Sequence, residues 1–172
     1  MKLSRRSLAA VVLLLLLAYA LRLYLLDGQS LWWDEGISLH LATSSLGDIV
    51  RDRLANIHPP LYFFMLKGWL ALVGVSPFTG RYLSALAGLL QVALAFALVR
   101  HLTGARPPSP FPVENVRAAH LSGVGRGGGR AAPWLAAALM LLSPLSVIYS
   151  QEIRVYALLP VVYLLMLSLI HI

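Results

Sequence analysis

The chain contains no cysteine among its 172 residues, and only 12% of them are charged. The absence of cysteine excludes a disulfide framework and a thiolate metal site, and it leaves the redox compartment open. Acids are the scarcer charge, with 7 against 14 lysines and arginines. The arginines flank apolar runs and do not line a polar domain, so we predict no nucleic-acid partner.

Hydrophobic residues make up 59% of the chain, and its mean hydropathy is +0.76. A soluble domain of this length rarely tolerates such a composition. We therefore predict an all-α polytopic membrane protein with about four transmembrane helices. Their predicted positions are about 8–26, 80–99, 131–148 and 155–172.

The first of these segments follows Lys2, Arg5 and Arg6. The small residues "AYA" at 18–20 resemble a signal-peptide cleavage site, but the apolar run continues past them, which favours an uncleaved helix. Arg22 lies near the outer end of this helix, where we expect its side chain to reach the interface.

A fifth apolar stretch, residues 61–75, decides the topology. With Lys67 at its middle, it would extend only about 22 Å across a hydrocarbon core of about 30 Å. If it does not span, the loop at 100–130 lies inside. That Pro- and Gly-rich loop carries five arginines against a single Glu114, and such a bias marks the cytoplasmic side. We therefore predict that 61–75 lies in or dips into the outer interface of the cell membrane. The N-terminus is then cytoplasmic, and residues 27–78 form an outer loop with juxtamembrane helices.

On this topology two polar segments share the outer face. "SLWWDEGISLH" at 30–40 contains Asp34 and Glu35, and "YSQEIRVYA" at 149–157 contains Glu152, Arg154 and Tyr156. Apolar residues recur at helical spacing from Ile37 to Leu54, so the first pair would lie at a helix start, which favours anions. Asp34 as a simple N-cap, with the tryptophans as interfacial anchors, is an equally open alternative.

Cations near these acids suggest an anion site. Arg81 lies at the outer end of a predicted span, and its guanidinium suits bidentate phosphate contact, although an interfacial anchor is an open alternative. His58 precedes a proline that stops any helix, and a single histidine is a weak indication of a metal site. One reaction fits such a site: a carboxylate deprotonates an acceptor while cations stabilise the phosphate that leaves a polyprenyl-linked sugar. A divalent metal is compatible with this chemistry but not required by it.

Three motifs in order, "WWDEG", "HPPLYFFMLKGWLALVGVSPFTGRYLSALAG" and "LLSPLSVIYSQEIRVYALL", resemble the N-terminal part of the GT-C glycosyltransferases. The nearest group is the one related to protein O-mannosyltransferases and to the aminoarabinose transferase of lipid A. The resemblance covers nearly the whole chain outside the Arg/Gly loop. It implies a periplasmic or lumenal active site, a polyprenyl-phosphate-linked sugar donor, a lipid, glycan or protein acceptor, and inversion at the anomeric carbon.

The resemblance also assigns roles. Asp34 is the expected catalytic base, with Glu35 beside it, and His58 falls near the donor phosphate. The remaining predicted substrate-binding residues are Lys67, Arg81, Glu152, Arg154 and Tyr156. Members of this family have several more spans, so we expect the chain to be an N-terminal portion that is inactive by itself.

Two other classes of protein remain alternatives. One is a transporter or flippase-like protein for lipid-linked or anionic substrates, whose charges should lie within spans near the midplane. The other is a non-catalytic membrane subunit.

Overall fold

The computed structural model describes residues 3–56, 59–104 and 131–170, and those residues form helices and turns without a strand. In chain order the elements are α1 (Arg5–Leu23), α2 (Trp33–Thr43), α3 (Leu46–Leu54), α4 (Leu61–Val73), α5 (Pro77–Gly104), α6 (Ala131–Leu142), α7 (Pro144–Ser150), a 3₁₀ turn (Val155–Ala157) and α8 (Leu158–Ile170). The predicted all-α class is confirmed for this part of the chain.

Local sequence signals set several helix ends. Ser45 caps α3, because its Oγ accepts the N–H of Asp48 at 3.1 Å and its hydroxyl donates to the Asp48 carboxylate at 2.7 Å. Helix α4 begins after Pro60 and ends at Gly74, whose φ of 91° is a conformation that glycine adopts without strain.

Helix α5 lies at the centre and contacts α1, α4, α7 and α8. Two apolar clusters pack around it. One includes Ile49 from α3, Leu66 from α4 and Ile153 from the segment before the 3₁₀ turn. The other joins α1 to α5 and α6 through Ala18, Val92 and Ala137. Close van der Waals packing of these side chains contributes to holding the helices together.

Within the described part of the chain, two helices, α1 and α5, are long and apolar enough to cross a membrane, and α6 with α7 is a third candidate if the bent pair counts as one span. These helices are consistent with a membrane protein. The pair bends by 56° where Pro144 removes an N–H from the helix. The predicted fourth span coincides with α8, which has 13 residues in the described part of the chain and so rises about 20 Å. A count of four spans therefore remains a prediction.

Two further predictions change in detail. The helical pattern from Ile37 to Leu54 is divided between α2 and α3, which Ser44 and Ser45 separate. The expectation that Arg22 reaches the interface is wrong, since this side chain is fully buried. Residues 61–73 do form a helix, α4, but its position relative to a membrane stays a prediction. Most of the predicted cytoplasmic loop, residues 105–130, lies outside the described residues.

Candidate functional site

The two acids of the "WWDEG" motif have opposite environments. Both lie in the first turn of α2, whose N-cap position is occupied by Trp32, so the alternative that Asp34 is the N-cap is wrong. Glu35 is 1% exposed, whereas the Asp34 side chain is 53% exposed. Consecutive residues on a helix point about 100° apart, which is why one acid faces the core and the other an open surface.

Glu35 forms a buried ion pair with Arg81 of α5. The Nε of Arg81 donates to Oε1 at 2.9 Å, and its Nη2 donates to Oε2 at 2.6 Å. The backbone N–H of Ile153 also donates to Oε1, at 3.1 Å. Glu35 therefore joins α2, α5 and the 151–154 segment through one carboxylate.

Every N–H group of Arg81 is engaged inside the protein. Besides Glu35, it donates to the carbonyl oxygens of Leu26 at 3.0 Å, Gln29 at 2.9 Å and Ser30 at 3.3 Å. A guanidinium has five N–H donors, and all five are used here. In this conformation Arg81 organises the turn between α1 and α2 and has no donor left for a phosphate.

Arg154 is arranged differently. Among the described residues its side chain makes a hydrogen bond through Nη2 alone, to Asp34 Oδ2. Its guanidinium lies 4.4 Å from the ring centroid of Trp32 and 5.7 Å from that of Tyr156, both within cation–π range. Arg154 thus has N–H groups without an acceptor among the described residues, and two aromatic rings hold its guanidinium in place.

Glu152 lies on the other side of Arg154. Its Oε2 is 3.5 Å from Arg154 Nε, yet neither atom has a hydrogen-bond partner within the described ranges. Burial raises the pKa of Glu152 above its ordinary range; Arg154 opposes this rise, and the neighbouring carboxylates Glu35 and Asp34 add to it.

An open polar pocket of about 230 Å³ lies in front of Asp34 and Arg154. Its other polar walls are Ser38, Arg53, Asn56 and Tyr156. Arg53 is held by Asp52, with its Nε 2.8 Å from Oδ2, and lies 4.5 Å above the Phe63 ring. The pocket therefore has a carboxylate and two guanidinium groups on its walls, an arrangement suited to an anion next to a proton acceptor.

An apolar cavity of about 200 Å³ lies between α4, α5 and α8. Residues next to each other in the sequence line the two spaces. Tyr62 lines the cavity and Phe63 lines the polar pocket. In the same way, Ala157 lines the cavity and Tyr156 lines the polar pocket. The start of α4 and the 3₁₀ turn therefore contribute to both spaces.

The other predicted cations lie elsewhere. Lys67 donates from Nζ to the Ser44 carbonyl at 2.7 Å and to the Ala42 carbonyl at 3.4 Å, so it caps the C-terminal end of α2. His58 lies outside the described residues. Within those residues no three His, Asp or Glu side chains form a group that would hold a metal ion, so we assign no ligand set.

The structure brings together Asp34, Glu152, Arg154 and Tyr156, and the "WWDEG" and "SQEIR" segments are in direct contact. That both segments lie at the outer membrane face stays a prediction. Sequence reasoning missed Arg53 and Asn56. Their signal was weak, because Arg53 lies in the last turn of a charged helix that reads as a solvated surface, and Asn56 follows shortly after it. Comparison with family models, curated proteins and solved structures found no match for this chain.

Proposed function

We propose that the protein is a glycosyltransferase that moves a sugar from a polyprenyl-phosphate donor to an acceptor, with Asp34 as the general base. The observation that supports this most is the division of labour between two carboxylate–arginine pairs. Glu35 and Arg81 are sealed in the core, whereas Asp34 and Arg154 border an open pocket.

The chemistry assigns a role to each open group. Asp34 accepts the proton of the acceptor hydroxyl as its oxygen attacks the anomeric carbon. The bond from that carbon to the phosphate oxygen breaks, and the polyprenyl phosphate departs with an additional negative charge. Arg154, with Arg53 across the pocket, stabilises that charge. The attack and departure on opposite faces invert the anomeric centre.

The free protein needs a step that frees the base. Arg154 contacts Asp34 directly, so in the free protein it occupies a carboxylate oxygen that would have to take the proton. A donor phosphate competes for the same guanidinium, so donor binding draws Arg154 away from Asp34. The apolar cavity lined by α4, α5 and α8 is a candidate surface for the isoprenoid chain.

Glu35 and Arg81 take positioning roles in this proposal, because they hold α2 against the 151–154 segment. Lys67 acts on α2 in the same way, through its C-terminal carbonyls. Glu152 supports Arg154 from behind. His58 keeps its predicted place near the donor phosphate.

A binding measurement tests the anion site. Trp32 lies beside Arg154, so farnesyl phosphate that enters the pocket should change tryptophan fluorescence. We expect Arg154→Gln to weaken this binding about tenfold or more, equivalent to at least about 1.4 kcal/mol. Arg51→Gln is the matched control, since Arg51 is 82% exposed on α3 and outside the pocket. If Arg154→Gln bound farnesyl phosphate as tightly as the parent chain, the proposed anion site at Arg154 would be excluded.

A transfer assay tests the base. Assayed in the full-length protein with a polyprenyl-phosphate-linked hexose, Asp34→Asn should lose transfer while it retains farnesyl phosphate binding, because the amide preserves shape but cannot accept a proton. Undiminished transfer by Asp34→Asn would exclude Asp34 as the base.

The transporter alternative makes a different prediction. Arg22 is a charge buried between candidate spans, as a carrier site requires, although it lies in the last turn of α1 and not near the middle of the helix. If the protein is a carrier, it should move a labelled polyprenyl phosphate across a vesicle membrane with no sugar transfer, and Arg22 substitutions should stop this movement.

A further inference from the structure

Arg22 is fully buried although it lies in the last turn of α1. Its Nη1 donates to the Ala18 carbonyl at 3.2 Å, and its Nη2 donates to the Met140 carbonyl at 3.4 Å and to Ser146 Oγ at 3.0 Å. These acceptors are all neutral oxygens. Among the described residues no acid pairs with Arg22, so hydrogen bonds to these neutral oxygens must stabilise its buried charge. The groups that accept those hydrogen bonds therefore indicate what Arg22 does in the fold.

The Met140 carbonyl is an unusual acceptor. In an unbroken helix it would receive the N–H of residue 144, but that residue is Pro144, which has none. A carbonyl left unpaired in apolar surroundings is unfavourable. Arg22 Nη2 replaces the missing N–H at the point where α6 and α7 bend by 56°.

The network continues from Arg22 to the end of the site segment. The Ser146 hydroxyl donates to Gln91 Oε1 at 3.0 Å, and Gln91 Nε2 donates to the Ala157 carbonyl at 2.6 Å. Ala157 directly follows Tyr156 of the polar pocket. The C-terminal side of the 152–156 segment is therefore linked to Arg22 through α7 and α5.

The N-terminal side of the same segment is tied to α1 as well. Gln151 Nε2 donates to the Tyr24 carbonyl at 2.8 Å and to the Arg22 carbonyl at 3.3 Å. The residues on both flanks of the segment that carries Glu152 and Arg154 thus depend on the end of α1.

We propose that Arg22 is a positioning residue of the polar pocket: its side chain fixes α7 and, through Ser146 and Gln91, the C-terminal end of segment 152–156, and so places Arg154 against Asp34. It touches neither the pocket nor its ligand. The expected effect of Arg22 on phosphate affinity rests on the proposed function. Its expected effect on the position of α7 and segment 152–156 does not.

The absence of cysteine makes a distance measurement direct. Spin labels on Leu72→Cys of α4 and Leu145→Cys of α7, which are 83% and 63% exposed, report the position of α7. We expect one narrow distance distribution for the parent chain and a broader or shifted one for Arg22→Met. Arg6→Met, an exposed charge on the same helix, should leave the distribution unchanged.

A second variant disturbs the contacts between Arg22 and α7 without changing Arg22 itself. A methyl group on Gly88 would lie 2.6 Å from Arg22 Nε and 2.5 Å from Ser150 Cβ, so Gly88→Ala must displace the arginine, α7 or both. The control is Gly68→Ala, where an added methyl group meets nothing within 4 Å. We expect Gly88→Ala to broaden the distribution and Gly68→Ala to preserve it.

Farnesyl phosphate affinity separates positioning from general stability. Arg22→Met should lose about tenfold in affinity, and Arg22→Lys should recover part of it because lysine retains a charged donor. Leu70→Ala, which empties a buried site on α4, should lower stability without this affinity loss.

An unchanged label distance in both Arg22→Met and Gly88→Ala would overturn the proposal. So would an affinity loss in Leu70→Ala equal to that in Arg22→Met. If the parent chain binds no farnesyl phosphate, the proposed function fails, and the label distances still decide the role of Arg22.

Discussion

Replacing Arg81 with methionine should lower the free energy of unfolding more than the replacement of any exposed charge, because Arg81 holds the junction between α1, α2 and α5 together. Methionine keeps much of the apolar length of arginine and removes all five donors. Glu35 would then retain one partner, the Ile153 N–H, and three backbone carbonyls near residues 26–30 would lose theirs.

The expected loss follows from burial. The two side chains are 2% and 1% exposed, and removal of one member of a buried ion pair typically lowers the free energy of unfolding by about 3–5 kcal/mol. Glu35→Gln should cost less, because Arg81 keeps its three carbonyl acceptors and the amide oxygen can still accept a hydrogen bond. Total stabilities are about 5–15 kcal/mol, so Arg81→Met removes a large share.

The assay is equilibrium unfolding in mixed micelles, followed by tryptophan fluorescence and extrapolated to zero denaturant. The matched control is Arg51→Met, which breaks the exposed pair between Arg51 and Asp48, 3.0 Å apart. Such a pair contributes no more than about 1 kcal/mol. The double variant Glu35→Gln/Arg81→Met completes a cycle that isolates the coupling between the two side chains.

The reasoning would be refuted if Arg81→Met lost no more stability than Arg51→Met. A coupling energy near zero in the double variant would show that Glu35 and Arg81 stabilise the fold independently of each other.

Three more stability effects follow from individual contacts. Lys67→Met should lower the free energy of unfolding by about 1–2 kcal/mol, since two carbonyls at the end of α2 lose a charged donor; thermal unfolding of the full chain measures it, and no change would exclude the capping role. Because the pKa of Glu152 is raised by burial, its folded form binds the proton more tightly than its unfolded form, so stability should fall as pH rises from its ordinary 4.5 through the raised value. Glu152→Gln should flatten that part of the pH profile, and an unaltered slope would assign it to other groups. Ile49→Ala should lose about 2–5 kcal/mol through a core cavity, while Val50→Ala, at an exposed neighbour, serves as its control; equal losses would contradict the packing of α3.

Sequence reasoning could predict the elements because their causes are local. The length of the apolar runs gave α1 and α5, and the two prolines before Leu61 placed the start of α4. Sequence reasoning also placed the start of α2 beside Asp34, because the start of a helix depends on nearby residues. It did not predict the break at Pro144, because a proline within an apolar run also occurs in continuous kinked helices.

The direction of each side chain was not accessible in the same way. Arg22 and Arg81 both lie near the end of a long apolar helix, and the usual fate of such a residue is to reach the interface. Their burial depends on acceptors far along the chain: Met140 and Ser146 for one, Glu35 for the other. No pattern within a few residues of either arginine encodes those partners.

The sequence by itself determined that the chain is helical and apolar, and that five of its seven acids lie between residues 27 and 52. Only the tertiary structure decided which acid is open. Asp34 and Glu35 are adjacent and chemically alike, and a helix turns one toward Arg81 in the core and the other toward Arg154 at the pocket. The physical reason is that the environment of a side chain is set by its distant neighbours, and these are brought into contact by packing around α5.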